Sequence, residues 1–314
     1  MATDQQSSIF NDLISSYSAY SDYDHLVSED PLDGEFVYIH HRINKSSSIP
    51  ENSIVFIHHD LDDIDPAFSL LQYLNPIKKT SAAICLNSSQ ANVLISNGYR
   101  GQIHIIPHGY VATDEALTTF AKIRNFKTTN RSSSKTTRKK HNLVINSRRY
   151  LRAVKGESYL RRLFQDLDQN VFSWTFLGTD RLIDSLAARR NNFSIRYIQP
   201  QNYVEVVEGY QHADLLLNLS WYEGGPANVP EAIMTQTPIF TRRIGMAVDV
   251  LPETYLGYFS DYDDLLEILQ KWVQSSTFRQ NINEQIKTAS LSLSTQKGVA
   301  RDIDVVAKEI FTRS

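Results

Sequence analysis

The sequence predicts an α/β protein made of two parallel-sheet domains, and three observations carry that prediction. Short β-branched or apolar runs alternate with helix-length amphipathic segments on both sides of a basic stretch, and strand–helix alternation at this spacing implies parallel strands with helices on both sheet faces. A chain of 314 residues is long for one domain and comfortable for two, each able to bury its own core. Between Glu115 and Glu157 the chain holds twelve Lys and Arg and no acidic residue. The middle of that stretch, Thr128 to Lys140, lacks apolar side chains and reads as a solvated linker. The expected division is a first domain over 1–120, a basic linker over 121–141 and a second domain over 142–295.

The elements follow in order. Ser53 to Ile57 is a strand, followed by a helix opening at Pro66 with Ala67, Leu70, Leu71 and Leu74 on one face. Ala82 to Leu86 is the next strand, Asn87 to Asn97 a helix and Ile103 to Ile106 another strand. Proline suits a first helical turn, and Asn87 or Ser88 can cap the helix that follows it. Beyond the linker, Asn142–Asn146, Ser173–Leu177, Ser194–Ile198, Asp214–Leu219 and Pro238–Thr241 continue the strand series. Helices carrying Tyr159 to Leu167, Tyr203 to Gln211 and Asn228 to Thr235 separate them. The result is two Rossmann-like domains expected to face a cleft. Residues 1–50 contain Tyr17, Tyr20 and Tyr23 without clear periodicity and receive no assignment.

Bulk properties narrow the class. Hydrophobic content of 41%, charged content of 21% and a formal charge of −3 are those of an ordinary globular protein. The single cysteine, Cys85, excludes an internal disulfide and a cysteine-built zinc site, and its apolar surroundings predict a buried structural thiol. The first sixteen residues lack the apolar core of a signal peptide, and no apolar run approaches the roughly 20 residues that span a bilayer. A cytoplasmic location is expected, with the basic stretch 122–155 as the candidate for peripheral contact with anionic lipid. Nucleic acid is not expected as a partner, because no reading motif accompanies the charge; a homo-oligomer is left open.

Ligands of such sheets bind at the carboxyl ends of strands. The most informative loop there runs from Ser220 through Glu223-Gly224-Gly225-Pro226-Ala227-Asn228-Val229-Pro230-Glu231. Two glycines allow close backbone approach to a ligand, and the following helix presents unpaired N–H groups to an anion. Carboxylates such as Glu223 and Glu231 accept strong hydrogen bonds, which suits the paired hydroxyls of sugars and riboses. Turns use Gly-Gly-Pro routinely, and carboxylates are common at helix starts for dipole reasons, so an ordinary capped helix is the plain alternative.

This segment resembles the signature of retaining glycosyltransferases of the GT-B fold, family four (glycosyl transferases group 1): two glutamates separated by seven residues, a Gly-rich turn after the first and Glu-Ala at the second. His212-Ala213-Asp214 with its strand and Ser220, and Thr237-Pro238-Ile239-Phe240 beyond, are similar to the frame that surrounds the signature. The resemblance implies that Glu231 hydrogen-bonds the donor's ribose, that Glu223 faces the donor sugar, and that Gly224, Gly225, Pro226, Ala227 and Asn228 supply backbone contacts to sugar and phosphate. Asn146 to Gly156 resembles the family's Gly-Arg…Lys-Gly element, with Arg149 and Lys155 as the phosphate-binding pair and Arg148 and Arg152 as substitutes. The family's glycine before the arginine is Ser147 or Arg148 here. His58-His59-Asp60 resembles the turn that faces the donor sugar, with His59 as the positional match, and Ile198 stands where the nucleobase is held. Ile105 to Tyr110 is similar to the close of the family's first domain. Asp302 to Phe311 resembles its terminal helix, so that 296–314 is expected to pack back on the first domain.

The expected activity is therefore retaining, metal-independent transfer of a sugar from a nucleoside diphosphate-sugar, UDP or GDP, to a glycan, lipid-linked or protein acceptor. No further cofactor is expected, and no metal. The first domain is short for this family, which leaves the acceptor unnamed. Two alternatives stand beside this reading: a non-catalytic subunit that binds glycan or nucleotide sugar, and a metal-dependent transferase using the carboxylates of Asp60 to Asp65. Those same carboxylates suit the start of the Pro66 helix.

Overall fold

In the computed structural model, the described residues are 8–26, 28, 36–41, 43, 49–62, 70–133, 140–149 and 153–312. They divide into two units: 1–110, 222–226 and 294–314 form the first, and 111–221 with 227–293 the second.

The first unit is built on a four-stranded parallel sheet in the order β1 (Tyr38–His40), β2 (Ser53–Ile57), β3 (Ala82–Cys85), β4 (Gln102–Ile105). Alternate residues sort to its two faces, as the period of a strand requires. Ile54, Phe56, Ala82 and Ile84 cluster with Tyr17 and with Val299, Ile303, Val306 and Ile310 of the C-terminal helix. Val55, Ile57, Ala83 and Cys85 cluster on the other side with Leu70, Ile77, Ala91 and Leu94, which come from α2 (Leu70–Ile77) and α3 (Ser88–Ser96). Asn87 caps α3, its side chain accepting from the Gln90 N–H. Cys85 is fully buried, and burial pushes its thiol up to about 12, so the thiol is a packing group. Pro66, Ala67 and residues 63–69 generally lie outside the described residues.

Residues the sequence left unassigned complete this unit. Helix α1 (Ser8–Tyr20) packs against the C-terminal helix, where Asp304 receives hydrogen bonds from Tyr17 Oη (3.0 Å), Ser21 Oγ (2.6 Å) and the Asp22 N–H (2.8 Å).

The second unit begins at Val111, within the stretch expected to belong to the first domain. Residues 121–133, expected in a linker, are helical instead and belong to α4 (Asp114–Ser133). Ala116, Phe120, Ile123 and Lys127 recur at helical spacing and are buried. Thr128 and Thr129 turn their hydroxyls onto the Arg124 and Asn125 carbonyls at 2.9 Å, so the polar end of the stretch continues as a solvated helix. Residues 134–139 lie outside the described residues.

The second sheet is parallel, five-stranded and ordered β7-β6-β5-β8-β9, with β5 His141–Asn146, β6 Phe172–Leu177, β7 Ser194–Ile198, β8 Leu215–Asn218 and β9 Ile239–Thr241. Leu143–Ile145 of β5 and all of β8 and β9 are buried without alternation, the mark of strands covered on both faces. Helices α5 (Glu157–Asp166), α6 (Leu182–Arg190), α7 (Tyr203–Glu208), α8 (Asn228–Met234), α9 (Ala247–Val250), α10 (Tyr262–Gln274) and α11 (Ser276–Ser292) complete the unit, and α12 (Gln296–Phe311) is the C-terminal helix of the first. No helix among the described residues is long and apolar enough to cross a membrane.

Candidate active site

In the second unit the strand order reverses between β5 and β8, and open α/β sheets bind ligands outside the carboxyl ends of the strands at such a point. Asn146 ends β5 there. Its Nδ2 donates to Glu231 Oε2 (2.8 Å) and to Tyr210 Oη (2.8 Å), and Tyr210 Oη donates to the same carboxylate oxygen (3.2 Å). All seven residues of α8 are buried, so Glu231 points inward. Burial pushes its carboxyl up to about 8, against the opposing pull of the Tyr210 and Asn146 hydrogen bonds. Glu231 Oε1 carries no hydrogen bond among the described residues.

Further polar groups gather at this end of the sheet. Asn228 Nδ2 donates to the Asn146 carbonyl at 2.7 Å. Asn228 Oδ1, Ser220 Oγ and Asn218 Oδ1 are buried with no hydrogen-bond partner among the described residues. A buried acceptor left unpaired costs about 1–3 kcal/mol, a penalty that a hydrogen-bonding ligand relieves.

The loop after β5 is held by ion pairs that the sequence did not reveal. Arg149 Nη1 meets Asp184 Oδ1 at 2.8 Å, and Arg181 Nη1 meets the other oxygen of Asp184 at 2.7 Å. Arg181 is fully buried; its Nε donates to the Ser147 carbonyl (2.8 Å) and its Nη2 to Ser147 Oγ (2.7 Å). Lys155 lies in a turn where Ala153 (φ 56°) and Gly156 (φ 74°) take the left-handed conformation. A Cβ on Gly156 would stand 2.2 Å from the Leu219 carbonyl oxygen, so only glycine lets this turn pack on the end of β8. The Trp221 N–H donates to the Val154 carbonyl at 2.8 Å, tying the turn to the Ser220 segment. Tyr150, Leu151 and Arg152 lie outside the described residues.

The Gly-Gly segment belongs to the first unit. The Glu223 N–H donates to Asp60 Oδ2 (3.2 Å), and Asn87 Nδ2 to the Gly224 carbonyl (2.9 Å). A Cβ on Gly224 would stand 2.3 Å from the His58 carbonyl oxygen, and one on Gly225 would stand 2.6 Å from His108 Cδ2. The glycines expected to admit a ligand therefore first admit protein: the backbone of His58 and the ring of His108.

Here too the strand ends carry the chemistry. His41, His58 and His108 follow β1, β2 and β4 and stack with Phe56, ring planes within 19° of parallel. His41 Nδ1 and His58 Nε2 are 3.0 Å apart, so one donates and the other accepts. Burial lowers all three imidazoles, His41 to about 3 and His108 to about 4. His59, the residue singled out from sequence, is half-buried beside the stack, its carbonyl accepting from Gln90 Nε2 at 2.7 Å. Asp60 uses both carboxylate oxygens on backbone N–H groups, those of Asp62 and Glu223; Asp63 and Asp65 lie outside the described residues. Among the described residues no group of three or more His, Cys, Asp or Glu could hold a metal ion.

The structure thus brings Glu231, Asn228 and Asn146 together at the switch point, with Arg149 and Lys155 on the loop after β5. Glu223, Gly224, Gly225 and Pro226 lie in the first unit, and Ala227 opens α8 in the second. Ile198 ends the edge strand β7, two strands from β5, its carbonyl accepting from the Gly178 N–H at 3.0 Å. Sequence reasoning missed Tyr210, Arg181 and Asp184. An Arg or Asp on an unremarkable helix gives no sequence sign of which strand-end loop it will reach.

Residues 127–289 match the family described as glycosyl transferases group 1. The chain belongs to that family. The transferase has the GT-B fold of two Rossmann-like domains. It is similar to sucrose-phosphate synthase from Thermosynechococcus elongatus, at 14% identity and TM-score 0.62 over 83% of this chain and 68% of that one. HepE of Anabaena, in complex with UDP, is similar at 13% identity and TM-score 0.62 over 82% of this chain and 72% of that one. A UDP-forming alpha,alpha-trehalose-phosphate synthase from Burkholderia vietnamiensis is similar at 11% identity and TM-score 0.59, over 82% and 67%. No curated protein sequence matches the chain. The transferase moves a sugar from donor to acceptor.

Proposed function

We propose that the transferase binds a nucleoside diphosphate-sugar at the carboxyl ends of β5 and β8 and transfers the sugar with retention of configuration, without a metal ion. The Asn146–Tyr210–Glu231 cluster at the topological switch point carries this reading. Asn146 and Tyr210 fix Oε2 of Glu231, and in this reading Oε1 bonds a ribose hydroxyl. A carboxyl raised to about 8 is largely protonated at neutral pH and can donate as well as accept, which suits a hydroxyl in either role.

Arg149 and Lys155 neutralise the diphosphate, and their effect is greatest as it departs and its charge grows. Glu223, with the turn from Gly224 to Asn228, and His59 serve the sugar. Ile198 serves the nucleobase. The neighbours solved with UDP, and with UDP and glucose, favour UDP over GDP as the donor nucleotide. The acceptor is a glycan, a lipid-linked sugar or a protein. Peripheral contact with anionic lipid through 122–155 fits a lipid-linked acceptor.

The test is to incubate the protein with a panel of nucleotide sugars, with and without a chelator, and to follow free nucleoside diphosphate and the anomer of the product. Release from one donor, unaffected by chelator and giving the donor's own anomeric configuration, is expected. An inverted product or loss of activity with chelator overturns the mechanism; loss of release in Glu231→Ala and in Lys155→Ala is the expected result for the site.

A further inference from the structure

We infer that Arg181 and Asp184 are positioning residues that hold Arg149 and the Ser147–Arg149 backbone in the conformation that receives the donor's diphosphate. The inference rests on the phosphate role proposed for Arg149. Its own ground is the ion-pair network inside the second unit. Arg181 is wholly buried and spends its guanidinium on five contacts: the Ser147 carbonyl, Ser147 Oγ, Asp184 Oδ2 and, at 3.5 Å each, the Arg148 carbonyl and Glu157 Oε1. Asp184 is equally enclosed, with 4% of its side chain exposed, and divides its two oxygens between Arg181 and Arg149.

Burying the three charged groups of Arg181, Asp184 and Glu157 carries a desolvation cost that pairing offsets at best, so apolar residues of the same volume would stabilise the fold as well or better. What the network adds is direction. The planar guanidinium of Arg181 fixes Ser147 through two donors, Nε on its carbonyl and Nη2 on its hydroxyl, a geometry that lysine cannot reproduce. Asp184 then sets the angle of Arg149, which keeps one fifth of its side chain exposed and so remains open to a ligand. The loop has no glycine at Ser147 or Arg148 and no left-handed residue there. The clamp from Arg181, rather than backbone freedom, therefore determines its path.

The arrangement predicts a defect confined to the second phosphate. Affinities are measured for whichever of UDP, GDP and ADP raises the melting temperature of the wild type most, and for its monophosphate. Asp184→Asn should lower the ratio of diphosphate to monophosphate affinity by about tenfold. Ser147→Ala, which removes only one anchor and spares the buried charges, should lower it by about threefold. In an Arg149→Ala background neither change should alter the ratio further. An equal fall in both backgrounds, or an unchanged ratio in Ser147→Ala and Asp184→Asn, overturns the positioning role while leaving the donor reading intact. If Arg149→Ala itself leaves the ratio unchanged, or no nucleotide binds the wild type, the donor reading falls and this inference with it. Should Asp184→Asn fail to fold, Ser147→Ala decides.

Discussion

In the first unit the strand ends carry imidazoles, stacked about Phe56 and held neutral by burial; in the second they carry a buried carboxyl and a network of ion pairs. Both sheets are parallel and both follow the rule that places function at their carboxyl ends. The loops, not the sheets, set the difference. The first unit closes its strand ends with a segment borrowed from far along the chain, residues 222–226, whose glycines fit against His58 and His108. The second leaves buried acceptors without partners at Asn218, Ser220 and Asn228. One end is packed with protein; the other has unmet hydrogen-bonding capacity of the kind a nucleotide satisfies.

The largest effects that can break this comparison come from the glycines. Gly156→Ala must place a Cβ 2.2 Å from a carbonyl oxygen at φ 74°, and Gly224→Ala one at 2.3 Å from another. Each should cost about 3 kcal/mol or more in urea unfolding. A Gly224→Ala variant of wild-type stability would show that the segment does not pack on the first unit.

The pH response should separate the units next, because their shifts have opposite signs. A histidine whose folded value lies below 6.5 leaves the unfolded chain to take up protons first. His41 and His108 therefore cost stability as pH falls from about 6.5 towards 4. Glu231 is raised from 4.5 to about 8, so its contribution is full below 4.5 and is lost as pH rises through 8. His108→Phe should flatten the acid limb of a stability–pH curve, and Glu231→Gln the alkaline limb. The reverse assignment would contradict the burial of both groups.

Smaller changes probe single bonds. Tyr210→Phe removes one donor to Glu231 and should cost about 1 kcal/mol, together with weaker nucleotide binding. Asp60→Ala should cost about 0.5–1 kcal/mol by releasing the Glu223 and Asp62 N–H groups, and should leave nucleotide affinity unchanged.

The strand series was legible where a strand covered on both faces reads as a continuous apolar run, as Ser53–Ile57 does, and where an edge strand alternates, as Ser194–Ile198 does with Ser194 and Arg196 exposed. The helical part of the basic stretch was not, since a long solvated helix with a narrow buried stripe at Ala116, Phe120, Ile123 and Lys127 looks locally like linker. Strand β1 spans only Tyr38–His40 and offers no period to detect. At the proposed site, Glu231 and Arg149 could be singled out by resemblance, because the motifs that carry it are local in sequence. Their partners Tyr210 and Asp184 were not, because those contacts span 21 and 35 residues of sequence and depend on how α6 and α7 settle on the sheet.

The central claim is that Glu231 at the β5–β8 switch point receives the ribose of the donor, and the most direct measurement compares a nucleoside diphosphate with its 2′,3′-dideoxy analogue by calorimetry. The wild type should prefer the ribose form by about tenfold or more, and Glu231→Ala should bind both equally and weakly. A Glu231→Ala protein that folds, binds the nucleoside diphosphate as tightly as the wild type and keeps its preference for ribose would contradict the account.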